Sequence, residues 1–140
     1  SVDVGYGQIS PRLRDDPRVE VVERTNAREL EPLELLAALL VMDVSFISAT
    51  TVLPAVLRSL EPGADLLILV KPQFEAGRNQ VEKGGVVRDS AVHARTVARV
   101  AAWASDHDLR VRGVVRSPLI GPAGNREFFL WLRVPQNRTR

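Results

Sequence analysis

The chain has no cysteine, which excludes disulfides and thiol chemistry and agrees with a reducing compartment. It has only two histidines, no metal-ligand spacing anywhere, and no G-x-S-x-G elbow to present a nucleophilic serine. No stretch approaches the roughly 18 apolar residues of a membrane-spanning helix, and no basic-then-apolar leader precedes the first strand. The expectation is a cytoplasmic protein without a membrane partner. Lysine is also scarce: Lys71 and Lys83 are the only two, so nearly all of the 19 cationic residues are arginine. An arginine-rich surface can clamp phosphates bidentately, yet a genome favouring arginine codons gives the same composition, and the net charge is only +2. Charge alone therefore does not establish nucleic-acid binding.

What is present is the apolar and charged balance of one globular domain in 140 residues. Ser1 stands where a start methionine is expected, and the chain reads as if it begins inside a fold. Val2 to Val4 reads as a strand end, "RVEVVE" (Arg18 to Glu23) as an alternating strand, and "ARELEPLELLAA" as a short helix capped by Asn26. "LLVMDVS" reads as a strand breaking at Asp43. The helix "VLPAVLRSL" is expected to be capped by Thr50 or Thr51, with Pro54 in its first turn and Gly63 just past its end. "ADLLILV" has the unalternating character of a strand buried on both faces and ends on Lys71. A long loop spans Phe74 to Arg88, expected to be functional or mobile. A helix follows from Asp89 or Ser90 to about Asp108, with His93 on its surface, and then the strands "RVRGVV" and "EFFLWLRV". Strands alternating with helices predict an α/β domain with a largely parallel sheet over 1–135 and a polar tail at 136–140. The short link before the last strand predicts that this strand runs antiparallel.

In an open parallel sheet the ligand site lies beyond the carboxyl ends of the strands. Asp3, Glu23, Asp43 and Lys71 fall at such ends, and the reversed last strand brings the start residue Glu127 to the same edge. Taken singly, a charge at a strand end is ordinarily solvated or capping a helix. Two carboxylates beside one lysine in a partly dry crevice are costly without a purpose, so Asp43, Lys71 and Glu127 form a candidate set. Asp3 sits where such folds hold a ribose hydroxyl, and the glycines of "GYG" (Gly5, Tyr6, Gly7) let backbone approach a ligand. Asn26 can meet an adenine edge or simply cap a helix. Lys83 of "KGG" lacks the surroundings of a phosphate loop.

"DVGYGQ", "DPRV", "ERTNAR", "DVSFIS", "LVKPQFEAG", "KGGVVRD" and "SPLIGPAGNREFFLWL" occur in an order and spacing that resembles the TlyA family, once called hemolysins. The similarity covers nearly the whole chain. Members of that family look like FtsJ-type 2'-O-methyltransferases acting on ribosomal RNA with S-adenosylmethionine. The resemblance implies a Rossmann-like class I methyltransferase sheet and a Lys-Asp-Lys-Glu catalytic set, whose last three members fall on Asp43, Lys71 and Glu127. Asp3, Gly5, Tyr6 and Asn26 are the expected cofactor-binding residues. Lys71 acts as base only in its neutral form, which burial and a second cation favour and which Asp43 and Glu127 oppose; those two are expected to position the lysine and the hydroxyl. Ribosomal RNA or ribosomal subunits are the expected partners.

The chain departs from this pattern at its front. The family's RNA-binding module, first catalytic lysine, first strand and glycine-rich turn are missing before Ser1, and the missing strand belongs between the ones ending at Asp3 and Asp43. The expectation is a partial catalytic domain, inactive alone. The alternatives are a non-catalytic RNA-binding module and, ranked last, a membrane-lytic protein, for which the helix from Asp89 offers only Trp103 as a large anchor.

Overall fold

The computed structural model describes residues 1–137. Its regular elements are α1 (Pro11–Arg14), β1 (Ala37–Met42), α2 (Ala49–Val56), β2 (Leu60–Val70), α3 (Pro72–Glu75), α4 (Ser90–Asp106), β3 (Arg110–Ile120) and β4 (Arg126–Arg133). The four strands form one sheet in the order β1-β2-β4-β3. β1 and β2 are parallel, and β4 is antiparallel to both β2 and β3. Three strands therefore point one way and the last runs back, as the short link at 121–125 requires.

Pairing register sorts the side chains. Leu66 faces Leu132, Ile68 faces Leu130 and Val70 faces Phe128. These residues share one sheet face with Leu40 and Met42 of β1, and onto it pack Val52, Leu53 and Val56 of α2 and Val97, Val100 and Ala104 of α4. Leu66, Ile68, Val70, Leu130 and Leu132 are all completely buried. The opposite face carries Leu39 and Val41 of β1, Val115 of β3 and Trp131 of β4, all exposed. Both long helices thus lie on one side of the sheet.

Ser48, rather than Thr50 or Thr51, caps α2, accepting from the Thr50 amide at 3.3 Å. Pro54 lies inside the helix, not in its first turn. Gly63 falls within β2 at φ +83°, where the β1–β2 register shifts. Asp89 caps α4 as expected, with the Ala91 amide 2.8 Å from its carboxylate.

Four expectations are corrected. "ARELEPLELLAA" is not a helix: a 3-10 turn over Ala27–Glu29 is capped by Asn26, and Ala37 already begins β1. Pro32 interrupts the run, and β-pairing with β2 outweighs the helical propensity of its Leu, Glu and Ala residues. The two strands at Val2–Val4 and Arg18–Glu23 reduce to one parallel bridge, Val2 to Val22. Neither segment has a further strand beside it among the described residues, and a lone two-stranded ribbon is marginal. His93 is buried, its Nε2 lying 2.7 Å from the Val87 carbonyl oxygen. The loop after Phe74 is anchored: buried Asn125 accepts from the Val87 amide at 3.0 Å and donates to the Gly85 carbonyl at 2.9 Å. Of the polar tail, Gln136 lies against Gly63, and 138–140 fall outside the described residues.

Leu130→Ala should destabilise the chain by about 2–5 kcal/mol in urea unfolding, since it empties a fully enclosed site. Val114→Ala, half-exposed on β3, should change stability by no more than about 0.5 kcal/mol in the same assay.

Candidate functional site

β1 ends at Met42 and β2 at Val70, so Asp43 and Lys71 emerge together at the carboxyl edge of the parallel pair. The Lys71 ammonium lies 2.7 Å from Asp43 Oδ1 and donates to Ser45 Oγ at 3.0 Å. The lysine side chain is mostly buried, at 11 % exposure, while Asp43 is open to solvent at 62 %. The pair thus points a protected cation toward an accessible carboxylate.

Glu127 reaches the same edge from β4. It directly precedes Phe128, the ladder partner of Val70, and Val70 directly precedes Lys71. It is buried, and its Oε1 accepts from Gln73 Nε2 at 3.0 Å. The Gln73 amide thus turns its nitrogen toward Glu127. The other amide atom, Oε1, is then a buried acceptor without a partner among the described residues. Gly121 packs against Glu127 so closely that a Cβ there would meet Oε1 at 2.4 Å.

A cleft of about 790 Å³ adjoins this edge, lined by Asp3, Gly5, Asn26, Asp43 and Phe46 among others. Asp3 Oδ1 accepts from the Gly5 amide at 2.7 Å, which bends the chain at the cleft mouth. Asn26 caps the 3-10 turn through the Arg28 amide at 3.1 Å and also lines the cleft. Tyr6 does not; it is exposed with the Arg24 guanidinium 4.3 Å from its ring centre. Phe46 is almost wholly exposed, holds a left-handed φ of +64°, and stands 4.9 Å from the Phe74 ring. A smaller cleft of about 340 Å³ separates Ser1 and Val2 from Leu39 and Val41 of β1.

The residues 1–134 match the FtsJ-like methyltransferase family. The chain belongs to that family. It is 52 % identical to the 16S/23S rRNA (cytidine-2'-O)-methyltransferase TlyA of Mycobacterium tuberculosis, with 99 % of this chain and 52 % of the relative covered. It is 44 % identical to the putative rRNA methyltransferase YqxC of Bacillus subtilis, over 96 % of this chain and 49 % of that one. The solved structure of a putative hemolysin from Streptococcus thermophilus superposes with a TM-score of 0.91 at 42 % identity, covering 99 % of this chain and 52 % of that one. The chain spans about half the length of the curated relatives it matches.

Within this FtsJ-like domain, Glu23 stands apart from the edge where sequence position put it. It pairs with Arg14 at 2.6 Å and accepts from the Gly7 amide at 2.8 Å, tying down the loop from Gly5 to Arg14. Sequence reasoning missed Ser45, Gln73, Glu75, Arg99 and Gly121. Glu75 lies at the end of α3, in a segment that reads from sequence as loop. Nothing in the sequence pointed to Arg99, whose Nη2 lies 2.6 Å from Glu75 Oε2 across the fold. Among the described residues no group of His, Asp and Glu could hold a metal ion, and no helix is long and apolar enough to cross a membrane.

The Glu23 carboxyl is held below its ordinary range, first by the hydrogen bond from Arg14 and then by the Gly7 and Gln8 amides, against the opposing effect of burial. A carboxyl so lowered stabilises the folded loop above its unfolded pKa, and that contribution disappears as pH falls through the lowered folded value. The Gly7 amide resonance should therefore titrate with a midpoint below that of ordinary glutamate. Glu23→Gln should abolish the transition.

Proposed function

We propose that this chain is the greater part of a catalytic domain that transfers a methyl group to a ribose 2'-hydroxyl of ribosomal RNA, using S-adenosylmethionine. The observation that carries this reading is the ion pair of Asp43 and Lys71 at the sheet edge that adjoins the Asp3 cleft, an edge to which the start of β4 also brings Glu127. The similarity to the mycobacterial rRNA (cytidine-2'-O)-methyltransferase supports it.

The cleft suits the adenosine half of the cofactor. Asp3 Oδ2 is left to accept a ribose hydroxyl once Oδ1 takes the Gly5 amide, and the Asn26 side chain reaches the same space. When bound, S-adenosylmethionine supplies an electrophilic sulfonium methyl. The chain's own residues do the rest. A ribose hydroxyl is a poor nucleophile until its proton is leaving, so a group within hydrogen-bond reach must accept that proton as attack proceeds. Lys71, carried on an almost buried stem, is the group placed to take that proton. Asp43 and Ser45 fix the direction of its nitrogen, and Glu127, oriented by Gln73, holds the hydroxyl in line. Phe46 offers an exposed aromatic face beside Asp43 on which the target base can stack.

The membrane-lytic alternative asks for a free apolar stripe on α4. Val97, Val100 and Ala104 are instead buried against the sheet, and Trp103 stacks on His107 at 3.8 Å.

Three measurements test the proposal. In the full-length protein that carries this chain, Lys71→Ala should abolish transfer of labelled methyl to ribosomal RNA while cofactor binding persists; undiminished transfer would remove Lys71 from the mechanism. Gly121→Ala, which suits the backbone at φ −71° but drives a methyl into Glu127, should lower kcat by ~100-fold. For the 140-residue chain by itself, calorimetry should detect no binding of S-adenosylmethionine at micromolar concentration, because the smaller cleft leaves the wall between Val2 and β1 open.

A further inference from the structure

The methyl-transfer reading gives no work to Glu75, yet this is among the most enclosed ionisable groups of the protein, with its side chain 2 % exposed. Its carboxylate gathers donors from two elements. Oε1 accepts from the Ala49 amide at 2.7 Å, and Oε2 accepts from Ser48 Oγ at 2.8 Å and from Arg99 Nη2 at 2.6 Å. Arg99 also donates to the Glu75 carbonyl oxygen. Ser48 and Ala49 open α2, so the carboxylate completes that helix's N-terminal cap, where a negative charge is favoured.

The placement matters because of what lies between. The loop joining β1 to α2 runs from Asp43 to Ser48 and carries Asp43 and Ser45, the two acceptors of Lys71. Its near end is held by Lys71 and its far end by Glu75, both contributed by the turn that follows β2. Midway, Phe46 adopts its left-handed conformation against Phe74 of the same turn. A lysine stem is flexible and Asp43 is solvent-exposed, so their ion pair alone cannot hold the loop at a fixed distance. A buried carboxylate with a backbone amide, a hydroxyl and a guanidinium around it can.

We propose that Glu75, braced by Arg99, is a positioning residue that sets where Asp43 and Ser45 stand relative to Lys71. It acts through the loop and touches no substrate. The inference deepens the methyltransfer reading and rests on it for its catalytic meaning, but its structural content stands separately.

The scarcity of lysine supplies a clean probe. In the chain labelled at lysine with 13C and 15N, only Lys71 and Lys83 contribute, and Lys83 is exposed. The Lys71 ammonium, bonded to Asp43 and Ser45, should show slowed proton exchange relative to Lys83. Glu75→Gln keeps the side-chain shape but sets an amide donor against Arg99. It should shift the Lys71 resonances and accelerate exchange several-fold toward the Lys83 rate, with the backbone amide spectrum of the sheet intact. An unchanged Lys71 signal in folded Glu75→Gln overturns the proposal. Should that variant fail to fold, Arg99→Gln decides the matter, because it leaves the Ser48 and Ala49 donors in place: faster Lys71 exchange supports the brace, and an unaltered rate refutes it. In the full-length protein Glu75→Gln should also reduce kcat at least tenfold. Absence of any methyl transfer by the unmodified full-length protein would defeat the functional reading while leaving the lysine exchange result to judge Glu75.

Discussion

β2 is the member on which everything else is hung. Its Leu66, Ile68 and Val70 have no solvent contact, because α2 and α4 cover them and β1 and β4 flank them. Parallel pairing on one side puts the end of β1 level with the end of β2, while antiparallel pairing on the other puts the start of β4 there. Asp43, Lys71 and Glu127 arrive at one edge as a consequence of those two ladders. A slip of one residue in either would turn the apolar set of that strand to the opposite face, so the core that excludes such a slip also fixes the polar edge.

The sheet is built on one side only. Both long helices pack on the same face, and the other presents Leu39, Val41, Val115 and Trp131 to solvent. β1 has no neighbour on its outer side among the described residues, and the Val2 to Val22 bridge stands off from it across the smaller cleft. An unpaired apolar edge of this kind invites pairing with other chains. Relatives twice as long, matched over half their length, place the same domain in a larger protein. The candidate active edge is thus well organised where β1, β2 and β4 meet and open where it approaches Val2.

Much of this was legible in advance, for identifiable reasons. The run "ADLLILV" announced a central strand, though not the burial on both faces that its lack of alternation implied: Leu67 and Leu69 stay half-buried on the face that no helix covers. The short link after Ile120 announced the reversal of β4. The reading failed where a local pattern was overruled by distant pairing. Ala37 and Ala38 have helical propensity, yet β2 offered a strand partner. Valine alternation over 18–23 promised a strand, yet the sheet gave it no neighbour beyond Val2. His93 looked exposed on its helix, yet the incoming Val87 carbonyl and the Phe128 ring, 5.7 Å away, enclose it.

The sequence by itself determined the class of fold, the family, and which ionisable residues end the core strands, because strand burial and chain order are encoded in runs of apolar residues and link lengths. Tertiary structure decided which of those residues meet. Glu23 turned to Arg14, Gln73 took Glu127, and Arg99 crossed from α4 to Glu75. Such partnerships depend on the direction of side chains brought together from far apart in the chain, and no local pattern records them.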